Sequence, residues 1–280
     1  MPEQIENLLA KMFIARPDVM AEQHTSGIYT PVQSRFTRTA LQEHLKGERS
    51  LGHYLVGTDN QIKMFAFDID WEKEGRMPSE FDSDGLPVSW VESSVKKTVG
   101  GVEHPAVNEE WSPRALWRTR SYVGRKWMKG EMMAIAWRIA ATVREQLGMK
   151  TAVAYSGYKG LHVYAFLTNP IPAEDGREGA QIVLEDFMKA TAVRGSNFYK
   201  VANTDSLDAN ENISIEIFPK QTKVQEGGYG NLMRLPLGRN LKAPNDPTFF
   251  VDLGCSSLVE WEPVPTQHVV EYLQNGNPWQ

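Results

Sequence analysis

A chain of 280 residues, 41% apolar and 23% charged, has the composition of an ordinary globular protein with a sizeable core. It has no apolar run as long as a membrane span, and its opening stretch MPEQIENLLAKMF lacks the basic-then-apolar layout of a signal peptide, so a cytoplasmic location is expected. The net charge of −5 argues against a wholly basic polyanion binder, and the single cysteine, Cys255, rules out an internal disulfide or a C-x-x-C zinc module.

In chain order, residues 3–15 read as a helix, with Ile5, Leu8, Leu9 and Met12 at helical spacing and Pro17 beyond its end. ALQEHLKGE reads as a second short helix stopped near Gly47. LGHYLVG, the polar turn TDNQ and IKMFAFDID together predict a hairpin. Residues 71–113, rich in Gly, Pro, Ser and Glu, read as an irregular insertion or long functional loop. The segment 114–129, RALWRTRSYVGRKWMK, carries Arg114, Arg118, Arg120, Arg125, Lys126 and Lys129 without one acid, interleaved with Trp117, Tyr122 and Trp127. Cations for phosphates and rings for bases are what single-strand binding requires, although a solvated face with anchoring tryptophans gives the same pattern.

A helix then carries Met132, Ile135, Ile139 and Val143 on one stripe, with Gly148 past its end. TAVAYSG and LHVYAFL predict two strands around the turn SGYKG, and residues 174–191 a helix with Ile182, Val183, Phe187 and Met188. NISIEIFPK, NLMRLPLG and FFVDL read as strands and QHVVEYL as a last helix. Mixed hairpins and helices give an α+β class.

Side chains alternate along a strand, so Asp68 and Asp70 of FAFDID share a face. Two carboxylates at the end of an apolar strand repel each other, and a divalent cation relieves that. A D-x-D pattern alone is weak, and Asp82-Ser83-Asp84, in a polar loop, is a decoy. In NISIEIFPK, Glu216 is a third carboxylate on an apolar strand; a strand with one solvated face would also carry it. In SGYKGLHVY, Ser156, Lys159 and the glycines form a turn of the phosphate-cradling type, followed by His162. With no cysteine pair, a metal would rest on Asp, Glu and His: Mg²⁺ or Mn²⁺ rather than zinc. Two such ions on three carboxylates, beside a triphosphate cradle, suit an in-line phosphoryl displacement. No Walker A loop occurs, so no ATPase motor is expected.

Three ordered motifs, FAFDID, SGYKGLHVY and ISIEIFPKQ, resemble the archaeo-eukaryotic primase superfamily. LQEHLKGERSLGHYLVGTDNQIKMFAFDIDWE, EIFPKQ and GNLMRLPLG look most like the primase module of TOTE-type conflict systems and related CRISPR-associated and phage primase-polymerases; SGYKGLHVY also resembles the polymerase domain of the bacterial end-joining ligase. The resemblance implies a primase core, an RRM-like catalytic half packed on an N-terminal α/β half. It implies one catalytic domain over 1–280 with 71–129 as an insertion. It assigns Asp68, Asp70 and Glu216 to catalysis and to two Mg²⁺ or Mn²⁺ ions. Ser156, Lys159 and His162, with Lys220 and Arg234, would bind the nucleotide, and Gln221 is a further candidate. The basic segment, through Arg114, Trp117, Arg118, Arg120, Arg125 and Lys126, would meet nucleic acid. The implied activity is template-dependent nucleotidyl transfer on single-stranded DNA, making or extending primers from dNTPs or rNTPs in a bacterium or a phage-infected host. A separate helicase or other replication protein is a candidate partner. Two alternatives stay open from the residues: a metal-dependent nuclease or phosphoesterase, and an inactive nucleic-acid-binding module of primase fold.

Overall fold

Helix α1 (Pro2–Met12) turns Ile5 and Leu9 inward. The computed structural model describes residues 2–72, 76–92, 94–108, 110–187, 192–194, 198–202, 211–257 and 259–276. Strands β1 (Met20–Gln23) and β2 (Tyr29–Val32) form a ribbon, and helix α2 (Arg38–Leu45) starts where the Thr37 hydroxyl accepts from the Ala40 N–H at 3.1 Å. Strand β3 (Leu51–Tyr54) is followed by the long strand β4 (Gln61–Trp71). Two hairpins come next, β5 (Arg76–Phe81) with β6 (Pro87–Glu92), then β7 (Ser94–Val99) with β8 (Val102–Val107).

The helical turn α3 (Pro113–Ala115) runs through a π-helical turn, Leu116–Arg120, into helix α4 (Tyr122–Leu147). Then come β9 (Lys150–Tyr155), β10 (Gly160–Pro172), α5 (Ala173–Phe187), β11 (Ala192–Arg194), β12 (Phe198–Ala202) and β13 (Glu211–Phe218). Strands β14 (Leu232–Arg234) and β15 (Phe249–Phe250) and helix α6 (Val269–Asn275) complete the order. No described helix is long and apolar enough to cross a membrane.

The strands build two main sheets. One has four strands in the order β14-β3-β1-β2; the other has seven in the order β11-β12-β13-β4-β10-β9-β15, paired antiparallel throughout. Alternation along β4 sends Phe65, Phe67 and Ile69 to one face, into a core shared with α4 and α5. Met64 and Ala66 go to the other face, where Phe13, Leu235, Phe250 and α6 cover them. On that second face the strands change character along their length: Met64 and Ala66 are followed by Asp68 and Asp70.

The class is α+β, as expected, but three expectations need correction. β3 and β4 do not form a hairpin. The turn between them closes, with the Gly57 N–H donating to the Gln61 carbonyl at 2.8 Å, but both edges of β3 are taken by β1 and β14 and both edges of β4 by β10 and β13. Residues 71–113 are largely two hairpins rather than an irregular loop, because Val, Phe, Trp and Thr alternate there with polar residues. The basic segment enters α4, which starts at Tyr122, nine residues before the expected EMMAIAW stretch; the Ser121 hydroxyl caps it at Gly124. The expected helix over 174–191 is seen to Phe187, and residues 188–191 lie outside the described residues.

Candidate active site

Register assembles the site. Asp68 of β4 stands directly opposite His162 of β10 on one side and Glu216 of β13 on the other. The row His162–Asp68–Glu216 therefore crosses three adjacent strands on one face. One step along, Asp70 lies between Gly160 and Ser214. Glycine at 160 is required, since a Cβ there would collide with the Asp70 carboxylate.

Each carboxylate meets a basic side chain. Lys159 Nζ lies 3.1 Å from Asp70 Oδ2 and also donates to the Trp71 carbonyl. His162 Nε2 is 3.3 Å from Asp68 Oδ1, and Lys220 Nζ is 2.9 Å from Glu216 Oε1. Lys220 also lies 4.9 Å from the centre of the Phe218 ring. The other nitrogen of His162, Nδ1, is 2.9 Å from the Tyr164 hydroxyl.

The aspartates differ electrostatically. Burial raises the pKa of Asp68, but His162, Lys159 and Lys220 together outweigh it and hold that carboxyl below its ordinary value. Burial and the Asp68 charge push Asp70 up to about 6, against the pull of Lys159. The carboxylates are nonetheless reachable: the Asp68 and Asp70 side chains are 26% and 37% exposed.

Among the described residues, no three acidic, histidine or cysteine side chains converge as they stand to clasp a metal ion. The reason is visible in the pairs above, where each carboxylate is turned to its own cation. In kind the donors suit a hard divalent ion, since all three are carboxylates on adjacent strand positions of one face. Lys159, His162 and Lys220 sit on the carboxylates where such an ion would compete.

The cradle is built as a turn. The Ser156 N–H donates to the Gly160 carbonyl at 3.0 Å, and the Ser156 hydroxyl accepts from the Gly160 N–H at 3.2 Å. Asn240 fixes it from a distant loop, donating to the Ser156 carbonyl at 2.9 Å. Arg234 is half-buried, and its guanidinium donates twice to the Gly238 carbonyl, at 2.9 and 3.0 Å. Burial lowers its pKa. The Gln221 N–H is held by Asn231 Oδ1 at 2.8 Å.

Several sequence expectations are thus brought together: Asp68, Asp70, Glu216, Lys159, His162 and Lys220 by direct contact, and Ser156 by the turn. Two contributors were missed. Tyr164 shares the His162 face by alternation, which was legible, but its contact with the ring was not. Asn240 lies 84 positions from Ser156, and nothing local marks it.

The basic segment needs correction. Trp117 and Trp127 are buried, at 4% and 9% exposure, and pack on Tyr155, Trp261, Trp71 and Trp90, so neither is a ring open to a base. The apolar stripe of α4 and the turn before it claims them. Arg118 pairs with Asp246 at 2.8 Å and Lys126 with Glu260 at 3.2 Å, while Arg114 lies over the Tyr158 ring. The Arg120 side chain lies outside the described residues. The decoy Asp82 shapes the β5–β6 turn, its Oδ1 accepting from the N–H groups of Asp84 and Leu86 at 2.9 Å each.

A family model described as the archaeo-eukaryotic primase domain of TOTE conflict systems matches residues 4–264. The chain is therefore an archaeo-eukaryotic primase domain, and within that class it belongs to the TOTE conflict system family. No protein of curated function matches it in sequence. Among solved structures it is similar to the polymerase domain of Mycobacterium tuberculosis ligase D, in complex with DNA, at 12% identity and a TM-score of 0.41, over 88% of this chain and 77% of that one.

Proposed function

We propose that this domain is a DNA primase-polymerase, which joins nucleotides on a single-stranded DNA template to make or extend primers. The observation that carries the reading is the row His162–Asp68–Glu216 with Asp70 beside it, in register across three strands and bordered by Lys159 and Lys220. Asp68, Asp70 and Glu216 would hold Mg²⁺ or Mn²⁺. Two such ions, when bound, supply activation of a 3′-hydroxyl and charge neutralisation at a leaving pyrophosphate.

The chain's own groups do the positioning. Lys159 and Lys220 lie at the rim of the carboxylate row, and once displaced from the carboxylates they would neutralise triphosphate oxygens. His162 would present Nε2 to the same group, and the Ser156–Gly160 turn its hydroxyl and backbone donors. Arg234, a cation whose described hydrogen bonds go only to a carbonyl, is a further phosphate candidate. The new bond joins the 3′-oxygen to the α-phosphorus, and the bond to pyrophosphate breaks. The seven-stranded sheet with α4 and α5 would be the catalytic half, the whole chain one catalytic unit, and residues 71–129 an insertion in it.

The test is nucleotide incorporation on primed and unprimed single-stranded DNA, with dNTPs and rNTPs and with each metal in turn. Wild-type protein should incorporate label, and Asp68→Ala or Asp70→Ala should abolish incorporation. Normal extension by either variant would sink the site assignment. Release of fragments from labelled DNA, with no incorporation, would favour a nuclease.

A further inference from the structure

Once the internal pairs of the basic segment are set aside, two cations stand out. Arg125 and Lys129, one turn apart on α4, line a cleft of about 470 Å³ with Arg118, Tyr155, Phe249 and Trp261. Residues 244–247 close its other side. Arg118 and Asp246, both on the rim, are spent on each other. Among the described residues neither Arg125 nor Lys129 has a carboxylate within ion-pair distance.

Lys129 is half-buried, with Nζ 4.9 Å from the centre of the Trp261 ring. Burial first, and the Arg125 charge second, press its pKa down; Glu260 and Glu262 pull it back only from a distance, and Glu260 is engaged by Lys126. A partly desolvated cation beside a second cation is a standing cost, offset when an anion enters. Trp117 stacks on Tyr155 with centroids 6.1 Å apart and Trp261 meets both rings, so the wall is dry and an ionic contact made against it is strengthened.

Position adds to this. Tyr155 precedes Ser156, the first residue of the cradle, and Phe249 is its register partner in the adjoining strand. The cleft thus adjoins the candidate nucleotide site but contains none of its carboxylates. Two cations match the single charge of a phosphodiester, whereas a triphosphate would also need the ions that Asp68, Asp70 and Glu216 would hold. Phe249 is half-buried where the other three rings are buried, and so is the ring available to an unstacked base.

We propose that this cleft holds one nucleotide unit of single-stranded nucleic acid, Arg125 and Lys129 on its phosphodiester and Phe249 against its base. The inference rests on the template-directed reading above for its purpose, but its chemistry stands without it. It narrows the partner-facing part of residues 114–129 to one turn of α4.

The experiment is fluorescence anisotropy of a labelled oligo-dT with the full chain over a salt series. Arg125→Gln/Lys129→Gln should bind more weakly and flatten the slope of log K against log salt by about 1.4, at roughly 0.7 per lost phosphate contact. Across a fourfold change in salt that is about a sevenfold difference in sensitivity. Phe249→Leu, which keeps an apolar side chain in the wall, should weaken binding while leaving the slope unchanged. Free dNTP and pyrophosphate serve as competitors. Failure of both to displace the oligonucleotide supports a strand site; displacement by either, abolished in the double variant, would identify the cleft as a free-nucleotide site and overturn the proposal. Unchanged affinity and slope in a double variant with wild-type melting temperature would overturn it as well. If wild-type protein fails to extend primers yet the double variant loses oligonucleotide binding, the polymerase reading falls and this one stands.

Discussion

Tyr164 is fully buried between Phe13 and Phe166, and among the described residues its hydroxyl has one partner, His162 Nδ1. Burial pushes the phenol pKa upward, so the hydroxyl keeps its proton. That proton needs an acceptor, and Nδ1 supplies it; the imidazole hydrogen then sits on Nε2, the nitrogen facing Asp68. Tyr164 is therefore a positioning residue for His162. Tyr164→Phe keeps the ring packing and removes the bond. In a polymerising enzyme the expected result is a several-fold rise in nucleotide KM with a smaller change in kcat, together with loss of the Nε2–H tautomer signature of His162 by ¹⁵N NMR. An unchanged tautomer population would refute the role. Alternation in FAFDID, ISIEIF and LHVYAF already showed which residues share a face. It could not show which positions stand opposite one another, because register is set by partners far along the chain.

At the scale of elements, two histidines join α2, β3 and the chain after β14. His44 Nδ1 accepts from the Leu51 N–H at 3.0 Å and Nε2 donates to the Pro236 carbonyl at 3.0 Å; Gly238 packs so closely on the ring that a Cβ there would collide with it. Burial pushes His44 down to about 4, and His53 on β3 down to about 3. A depressed histidine contributes stability that is full above its unfolded pKa, near 6.5, and is lost as pH falls toward the folded value. Asp70 acts oppositely, because its raised pKa favours the fold at low pH and that contribution is lost as pH rises through about 6. Between about pH 4 and 6 the unfolded chain thus takes up two protons on the histidines and releases one from Asp70. The metal-free protein should lose about 1.4 kcal/mol per pH unit on acidification, and Asp70→Asn about 2.7. Urea midpoints at several pH values check this; equal slopes for the two proteins would contradict it. None of this was legible in ALQEHLKGE or LGHYLVG, where His44 and His53 look like any polar residue in a periodic pattern. The failed β3–β4 hairpin has the same origin, for periodicity reports a strand but not its neighbour.

For the whole molecule, the candidate site lies where one face of the seven-stranded sheet passes from apolar cover to carboxylates. The insertion divides by the same criterion of burial. Met77 of β5 is buried, and Phe81 and Trp90 pack on Trp127 with centroids 6.4 and 5.7 Å away, so β5–β6 belongs to the core. The β7–β8 hairpin adds no residue to either core; Val95, Val99 and Val102 are exposed and its Lys96–Glu103 pair, at 2.9 Å, is on the surface. A surface pair of that kind contributes little. Ser94 and Val107 are register partners, so a short Gly-Ser linker can replace residues 94–107 without moving the flanking chain. The melting temperature and the extension rate should then stay at wild-type values. Extending the excision to residue 76 should cost on the order of 3–5 kcal/mol, because it uncovers Trp127 and removes Met77. Composition alone could not separate the hairpins, since both are polar and rich in turn residues. What separates them is whether apolar side chains find a surface to cover, and α4 offers one to β5–β6 only. If the short excision destabilised the protein as much as the long one, the β7–β8 hairpin would have to be making contacts in solution that its exposed valines do not make in this structure.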